Sequence, residues 1–351
     1  MGVPRAGPRL LRPRLVHGPQ PLAATRDQGG HDRGVPLRPG TPRRRHRRLV
    51  GDATRPVPAG DHGDLRLGEG GGRRSRAALV GEPGAGGHPV AGLTDFYAGA
   101  APGWAAGATK VYGPLARDLV AHSPHPLQQR LVLDVGAGTG AGSAALRSAG
   151  ARPVAVDLSH DMLAWDRSSR PPSAVSDVLA LPFPADSFDD VVAAFVLNHL
   201  VEPVAGLREL ARVTSNRGAI LATAYSTQSA SEARERVDDV ARSQGWEPPG
   251  WYVSLKSSMA PLVGSAASMQ AVAREAGLAH AVAGERPVDT GVRTAGELVD
   301  YRFGQAHYAE FLASLTAGET DALRRAALAA AEPVMEPYRP IVVFLTAIVG
   351  E

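Results

Sequence analysis

Cysteine is absent from this chain of 351 residues, and aromatic residues make up only 5% of it. Without cysteine the chain has no disulfide bond, no thiolate nucleophile and no cysteine-ligated metal site. No apolar run approaches the ~20 residues that a membrane-spanning helix needs, and the N-terminus lacks the apolar core of a secretory signal. The sequence therefore predicts a soluble cytoplasmic protein that does not cross a membrane.

Lysine and all three large aromatic residues are missing from residues 1–90, where 17 arginines accompany seven acidic residues and 30 of the 90 positions are glycine or proline. Burial of large side chains offsets the entropy lost on folding, and this segment has few to bury. We predict that residues 1–90 are disordered, with at most a weak attraction for nucleic acid through "RRRHRR" at 43–48. An alternative is that this segment lies upstream of the true translation start and that translation begins near Val90.

Residues 91–351 have the composition of a globular domain, with 21 basic and 28 acidic side chains. Short apolar runs alternate with helical stretches, which predicts a largely parallel sheet covered by helices on both faces. Further helical insertions are expected on the substrate side at about 227–277 and 292–338. The predicted strands are 130–135, 152–158, 173–178, 190–197 and 219–226, with two later candidates within 279–291 and 340–350, and the first predicted helices are 109–123, 140–150, 159–169 and 203–218.

A glycine-dense turn interrupts "RLVLDVGAGTGAGSAALRSAG" at residues 130–150. Gly136, Gly138 and Gly140 allow the backbone to turn tightly and approach a ligand, and the helix that follows directs its positive end at negative charge. With Ala141 the run also fits the dinucleotide pattern G-x-G-x-x-G/A, which is a weak signal by itself. A nucleoside triphosphate P-loop is excluded, because no Gly-Lys-Ser/Thr follows.

Three aspartates near the predicted strand ends indicate which ligand the turn holds. Asp134, two positions before the first glycine, would repel a pyrophosphate but suits a cationic ligand. Asp157 ends the second predicted strand, where its carboxylate can accept hydrogen bonds from both ribose hydroxyls. Asp177 ends the third, where it can accept from an adenine amino group, while Leu158 and Met162 offer apolar faces to the ring. S-adenosylmethionine combines a sulfonium, an ammonium, one carboxylate and an adenosine, and so fits all of these features.

Four segments, "VLDVGAGTG", "VAVDLSHDML", "DVLALPFPADSFDDVV" and "FVLNHL", resemble in order and spacing the successive motifs of class I S-adenosylmethionine-dependent methyltransferases of the small-molecule branch. The resemblance covers about residues 95–226. It implies an α/β fold with a Rossmann-like, doubly wound, seven-stranded and mostly parallel sheet whose last strand is antiparallel, and it implies S-adenosylmethionine as the cofactor. The cofactor contacts that it implies are Asp134, Gly136, Ala137, Gly138 and Gly140 around the methionine part, Asp157 at the ribose, Leu158 and Met162 against the adenine, Asp177 and Val178 at the adenine edge, and Ala194 and Phe195 on the methionine side.

Methyl transfer depends mainly on holding the acceptor atom, the methyl group and the sulfur in line and on excluding water. A general base contributes only where an O–H or N–H acceptor must lose its proton. His199 in "LNHL" is the best candidate for that base, and His307 is a second. The side chains predicted to wall an apolar acceptor pocket are Trp251, Tyr252, Tyr301, Tyr308 and Phe311. The expected partner is a small-molecule methyl acceptor, and the sequence predicts no metal.

Several alternatives stay open at this point. The aspartates at 157 and 177 can serve as caps, and Met162, Phe195 and both histidines can serve packing or orientation. An NAD-dependent oxidoreductase shares the glycine turn but leaves Asp134 and the segment around Asp177 unexplained. A methyltransferase acting on RNA or protein is disfavoured by the acidic globular part and by the lack of an Asn-Pro-Pro-Tyr-like motif. The last alternative is a non-catalytic module that binds S-adenosylmethionine.

Overall fold

The computed structural model describes residues 96–350. The predictions made for residues 1–90, including their disorder, the nucleic-acid attraction and the start near Val90, lie outside the described residues. No helix within residues 96–350 is long and apolar enough to cross a membrane.

A seven-stranded sheet forms the centre of the described part, with the strand order β3-β2-β1-β4-β5-β7-β6. Six strands run in one direction, whereas β7 is antiparallel to both of its neighbours. The predicted Rossmann-like sheet with a reversed last strand is therefore confirmed. The strands are β1 Leu131–Val135, β2 Arg152–Asp157, β3 Ser173–Val175, β4 Phe188–Ala194, β5 Thr214–Tyr225, β6 Val282–Pro287 and β7 Ile341–Ile348.

Helices cover both faces of the sheet, because alternate residues of the central strands are apolar and buried on opposite sides. Leu133 and Val191 pack into one cluster with Leu207 and Met269, while Val132 and Val192 pack into another. The helices are α1 Thr109–Ala121, α2 Ala141–Ser148, α3 His160–Ala164, α4 Pro203–Val213, α5 Glu232–Ser243, α6 Gly250–Ser254, α7 Ala266–Glu275, α8 Ala295–Phe303, α9 Ala306–Ser314 and α10 Ala317–Ala331.

Two predicted helices are shorter in the structure than in the sequence analysis. The helix expected over 203–218 ends at Val213, where Thr214 begins β5 and donates its hydroxyl to the carbonyl of Leu210 at 2.7 Å. The helix expected over 159–169 ends at Ala164, and Asp166 has a left-handed backbone with φ 46° that α-helix does not allow.

A third apolar cluster lies beside the sheet and contains α5, α8 and α10. Most of its residues come from the chain between β5 and β7, which contributes only β6 to the sheet, and Val111 and Leu115 of α1 join them. Helices α8 and α10 begin with reciprocal capping boxes, Thr294 with Glu297 and Thr316 with Glu319, which satisfy the free amides of their first turns. The cluster reaches the carboxyl end of β4, since Phe195, which directly follows that strand, belongs to it.

Candidate active site

One cleft lies at the carboxyl ends of β1, β2 and β4, where the strand order reverses between β1 and β4. Ligands bind at this position in open α/β sheets because adjacent loops diverge there. The cleft has a volume of about 330 Å³, in the range of small-molecule sites. It joins a cofactor half, formed by the loops after β1 to β4, to an acceptor chamber. The acceptor chamber is lined by Arg234, Trp251, Tyr252, Lys256, Arg302 and His307.

The glycine turn after β1 forms the floor of the cofactor half. Gly136 and Gly138 have φ of 64° and 51°, a left-handed conformation that side chains other than glycine rarely adopt. A Cβ at Gly136 would also overlap the side chain of Val196. The close approach of the loops after β1 and β4 therefore depends on glycine at position 136.

Asp157 holds this turn from the end of β2. Its two carboxylate oxygens accept hydrogen bonds from the amides of Gly138 at 2.7 Å and Ser159 at 2.8 Å. Burial raises the pKa of Asp157, against the opposing effect of those amides and of the Arg170 guanidinium. The carboxylate lines the cleft, so it is placed to meet a ligand that rests on the glycine turn.

Asp134 lies behind the turn and is 1% exposed. It accepts a hydrogen bond from the Ser143 hydroxyl at 2.6 Å, at the start of α2. Burial raises its pKa to about 6, with the hydroxyl of Ser143 lowering it and Asp157 raising it. Asp134 therefore joins β1 to α2 and adds negative potential beneath the cofactor half.

Every residue predicted to bind the cofactor lines the cleft except Gly140, whose φ of 104° turns the chain into α2. Asp177 also caps its own loop, since its Oδ1 accepts from the Leu179 amide at 2.9 Å. Phe195 has an unusual positive φ of 59° directly after β4, and its ring lies 4.6 Å from that of Tyr225. Strained backbone of this kind is frequent at ligand sites.

His199 lies on the short turn after β4 and lines the cleft between its two halves. Burial lowers its pKa to about 4, so the imidazole is neutral near pH 7. Its Nε2 lies 3.5 Å from the Tyr97 hydroxyl, and within residues 96–350 its Nδ1 has no hydrogen-bond partner. Burial, followed by the charge of Asp157, raises the pKa of Tyr97, which keeps that hydroxyl protonated.

The predicted aromatic wall is only partly correct. Trp251, Tyr252 and Tyr301 line the cleft, but Tyr308 and Phe311 do not. Tyr308 is 0% exposed and donates to Asp238 at 2.7 Å, and Phe311 packs against the apolar cluster around α8. Both face inward because α9 packs on α8 and α5.

Sequence reasoning missed several lining residues. Tyr97, Trp104 and Tyr112 form an aromatic edge before and within α1, with Trp104 stacked on Tyr112 at 4.9 Å. Arg170 donates to the carbonyls of Gly138 at 2.5 Å and Met162 at 2.6 Å, which fixes the turn from behind. The sequence shows the aromatic residues as a cluster at 96–112 in a chain with few aromatic residues. No feature of the sequence marks Arg170 as a residue that supports the site.

No group of three or more histidine and carboxylate side chains within residues 96–350 is arranged to hold a metal ion. The residues of the cofactor half fit S-adenosylmethionine instead. A glycine turn with no room for a Cβ at Gly136, a carboxylate at the end of β2 and acidic side chains beneath the floor suit an adenosine joined to a sulfonium.

Comparison with known proteins agrees with this geometry. Residues 133–222 match the family described as "Methyltransferase domain". The demethylmenaquinone methyltransferase of Mycobacterium sp. (strain KMS) is 42% identical over 96 residues, which are 27% of this chain and 42% of that protein. The enzyme of the same name from Mycolicibacterium gilvum (strain PYR-GCK) is 44% identical over 96 residues, with the same two coverages of 27% and 42%. The chain thus spans less than half the length of these relatives.

A solved structure with a similar fold is phosphoethanolamine N-methyltransferase 2 of Haemonchus contortus in complex with S-adenosyl-L-methionine. It is 18% identical, covers 68% of this chain and 52% of its own, and has a TM-score of 0.45. The family match thus shows that residues 133–222 are similar to methyltransferase domains, and it does not extend to the rest of the chain.

Proposed function

We propose that this chain transfers a methyl group from S-adenosylmethionine to a small organic acceptor. The observation that carries the proposal is the continuity of one cleft from the glycine turn and Asp157, past His199, into a chamber walled by Trp251 and Tyr252. The name of the matched relatives, demethylmenaquinone methyltransferase, supports a small-molecule acceptor.

The cofactor half supplies binding and orientation. Asp157 would hold the ribose, Asp177 and the backbone of Val178 the adenine edge, and Leu158 and Met162 the faces of the ring. Gly136, Ala137 and Gly138, with Ala194 and Phe195 opposite them, would surround the methionine part. When bound, S-adenosylmethionine supplies a methyl group attached to a cationic sulfur: as the acceptor's lone pair forms the new bond to the methyl carbon, the carbon–sulfur bond breaks and the sulfur leaves as a neutral thioether.

His199 would act on the acceptor side. Its imidazole is neutral near pH 7 and can take the proton of an O–H or N–H acceptor, as a weak base because burial lowers its pKa to about 4. Tyr97, within 3.5 Å of Nε2, would orient the ring. Aromatic side chains around the junction of the two halves would exclude water from the acceptor atom. An acceptor atom without bound water is more ready for an in-line displacement.

Methyl incorporation from radiolabelled S-adenosylmethionine into a panel of small acceptors tests the proposal. We expect label in at least one acceptor and, for an O–H or N–H acceptor, a 10²- to 10⁴-fold lower rate in His199→Ala, the range typical of general-base catalysis. Label in RNA or protein alone would overturn the small-acceptor proposal. Cofactor binding without transfer to any acceptor would favour a non-catalytic binding module.

A further inference from the structure

The cleft is divided by charge. Its cofactor half is lined by the carboxylates of Asp134, Asp157, Asp177 and Glu202, whereas the charged residues of the acceptor chamber are Arg234, Lys256 and Arg302. Acidic residues suit the cationic cofactor, but they do not explain why cations line the opposite end. The sign of the acceptor chamber therefore carries separate information about the acceptor.

Arg302 is already neutralised within the protein. It is 3% exposed and donates to both oxygens of Asp238, at 2.8 Å and 2.7 Å, and also to Gln305. Tyr308 donates to the same carboxylate at 2.7 Å. This buried ion pair stabilises the contact between α5 and α8 and leaves no net charge for a ligand.

Arg234 and Lys256 are different, because neither forms an ion pair with any carboxylate of residues 96–350. Arg234 is half-buried on the first turn of α5, and within residues 96–350 its guanidinium donates only one long hydrogen bond, to the carbonyl of Ser229 at 3.4 Å. Lys256 is exposed and lies on the π-helical segment Leu255–Met259 that follows α6. A half-buried guanidinium without an anionic partner costs free energy unless a ligand compensates its charge.

His307 adds an unpartnered polar atom to the same chamber. The residue is 6% exposed, its ring stacks on Tyr252 with centroids 3.9 Å apart, and its Nε2 has no hydrogen-bond partner within residues 96–350. Burial first, and then repulsion from Arg302, Lys256 and Arg234, lowers its pKa. Arg234, Lys256 and Arg302 line the same cleft as this neutral imidazole.

We infer that the methyl acceptor carries an oxyanion group, a carboxylate or a phosphate, bound by Arg234 and Lys256 with His307 beside it. The inference rests on the proposed function and specifies its substrate class. A guanidinium matches the two oxygens of a carboxylate or phosphate with parallel hydrogen bonds, and an ammonium adds a point charge. The stacked rings of Tyr252 and His307 and the indole of Trp251 would hold the organic part.

Calorimetric titration of the full chain, saturated with S-adenosylhomocysteine, tests this assignment with three probes of similar size. These are 4-hydroxybenzoate, its neutral methyl ester and phenyl phosphate. We expect at least one anion to bind at least tenfold more tightly than the ester, and whichever anion binds more tightly identifies the oxyanion. Arg234→Ala and Lys256→Gln should each weaken that binding about 10- to 100-fold, the range for a lost charge-assisted hydrogen bond.

Arg236→Ala is the matched control, since Arg236 lies on the same helix, is 54% exposed and pairs with Glu232. It should bind the anion as the unaltered chain does, and all three variants should keep their affinity for S-adenosylhomocysteine. The inference would be overturned if the ester and the anions bound equally well, or if no probe bound. Unchanged anion binding in both Arg234→Ala and Lys256→Gln would also overturn it. Lys256→Gln keeps the test valid if Arg234→Ala fails to fold. A chain that binds the anions but not S-adenosylhomocysteine would instead contradict the proposed function.

Discussion

At the residue scale, Asp157 serves the fold and is placed to serve a ligand. Its oxygens hold the amides of Gly138 and Ser159, yet the carboxylate still borders the cleft. Each oxygen has a second lone pair, so the capping role and the ribose role are compatible. The capping role that the sequence left open as an alternative thus does not exclude cofactor binding.

Asp157→Ala should weaken the affinity for S-adenosylhomocysteine by about 10- to 100-fold, because hydrogen bonds to a charged group contribute roughly 1.5–3 kcal/mol. Thermal stabilisation by the ligand follows mass action and reports this loss. Asp239→Ala is the control, since that carboxylate pairs with Arg242 on an exposed face. Full stabilisation of Asp157→Ala by the ligand would remove Asp157 from the cofactor site.

The buried imidazole of His199 predicts a pH-dependent stability. Its pKa is lowered from 6.5 to about 4 in the folded chain, so between these pH values the unfolded chain takes up a proton that the folded chain does not. The free energy of unfolding should therefore fall as pH decreases from 6.5 to about 4, by up to ~3 kcal/mol, and this contribution vanishes above pH 6.5.

Urea unfolding at pH 7 and pH 4.5 measures this contribution when the unaltered chain is compared with His199→Gln. The loss at the lower pH should be smaller in His199→Gln by ~2 kcal/mol. His280→Gln, at an exposed position, should lose as much stability as the unaltered chain. Parallel losses in all three proteins would show that His199 is not buried as the structure describes it.

The cofactor residues could be predicted because they lie at or shortly after the carboxyl ends of β1 to β4, so local motifs fix their places at the sheet edge. Arg234, Lys256 and His307 could not, because helices and turns far apart in the sequence bring them together. The spacing of these three residues along the sequence shows no pattern that predicts a common site. The buried position of Tyr308 and the half-buried position of Phe311, both outside the cleft, were missed for the same reason, since only the packing of α9 decides which aromatic rings face the cleft.

At the element scale, strands were easier to predict than helix ends. Apolar runs mark the strands because parallel strands are buried on both faces. The end of α4 at Val213 depends on a tertiary contact, because Thr214 pairs with Phe188 in the sheet. The helix therefore ends earlier than the polar sequence after Val213 suggested. Competition between helix and sheet at such a junction is not local.

The ion pair between Asp238 and Arg302 gives a prediction about how α5 is held on α8. Its side chains are 12% and 4% exposed, so removing one partner leaves a buried charge. Asp238→Ala should lower the free energy of unfolding by ~3–5 kcal/mol. Chemical denaturation measures the change, and Asp239→Ala, at the neighbouring exposed position, should change it by less than ~1 kcal/mol. Similar values for both variants would contradict a structural role for this pair.

At the scale of the whole molecule, the described part divides into a sheet that builds the cofactor half and a helical portion that builds the acceptor chamber. Helices α5, α6, α8 and α9 come from the chain between β5 and β7. Under the proposed function, reaction type and substrate choice would be set by different parts of the chain, as is common where one fold supports many activities.

The central claim is that the glycine turn and Asp157 form a site for S-adenosylmethionine and not for a nicotinamide dinucleotide. Calorimetric titration of the full chain with S-adenosylhomocysteine and, separately, with NADH tests it most directly. We expect saturable binding of S-adenosylhomocysteine at micromolar concentrations and no binding of NADH. Binding of NADH, together with no response to S-adenosylhomocysteine at millimolar concentrations, would contradict it.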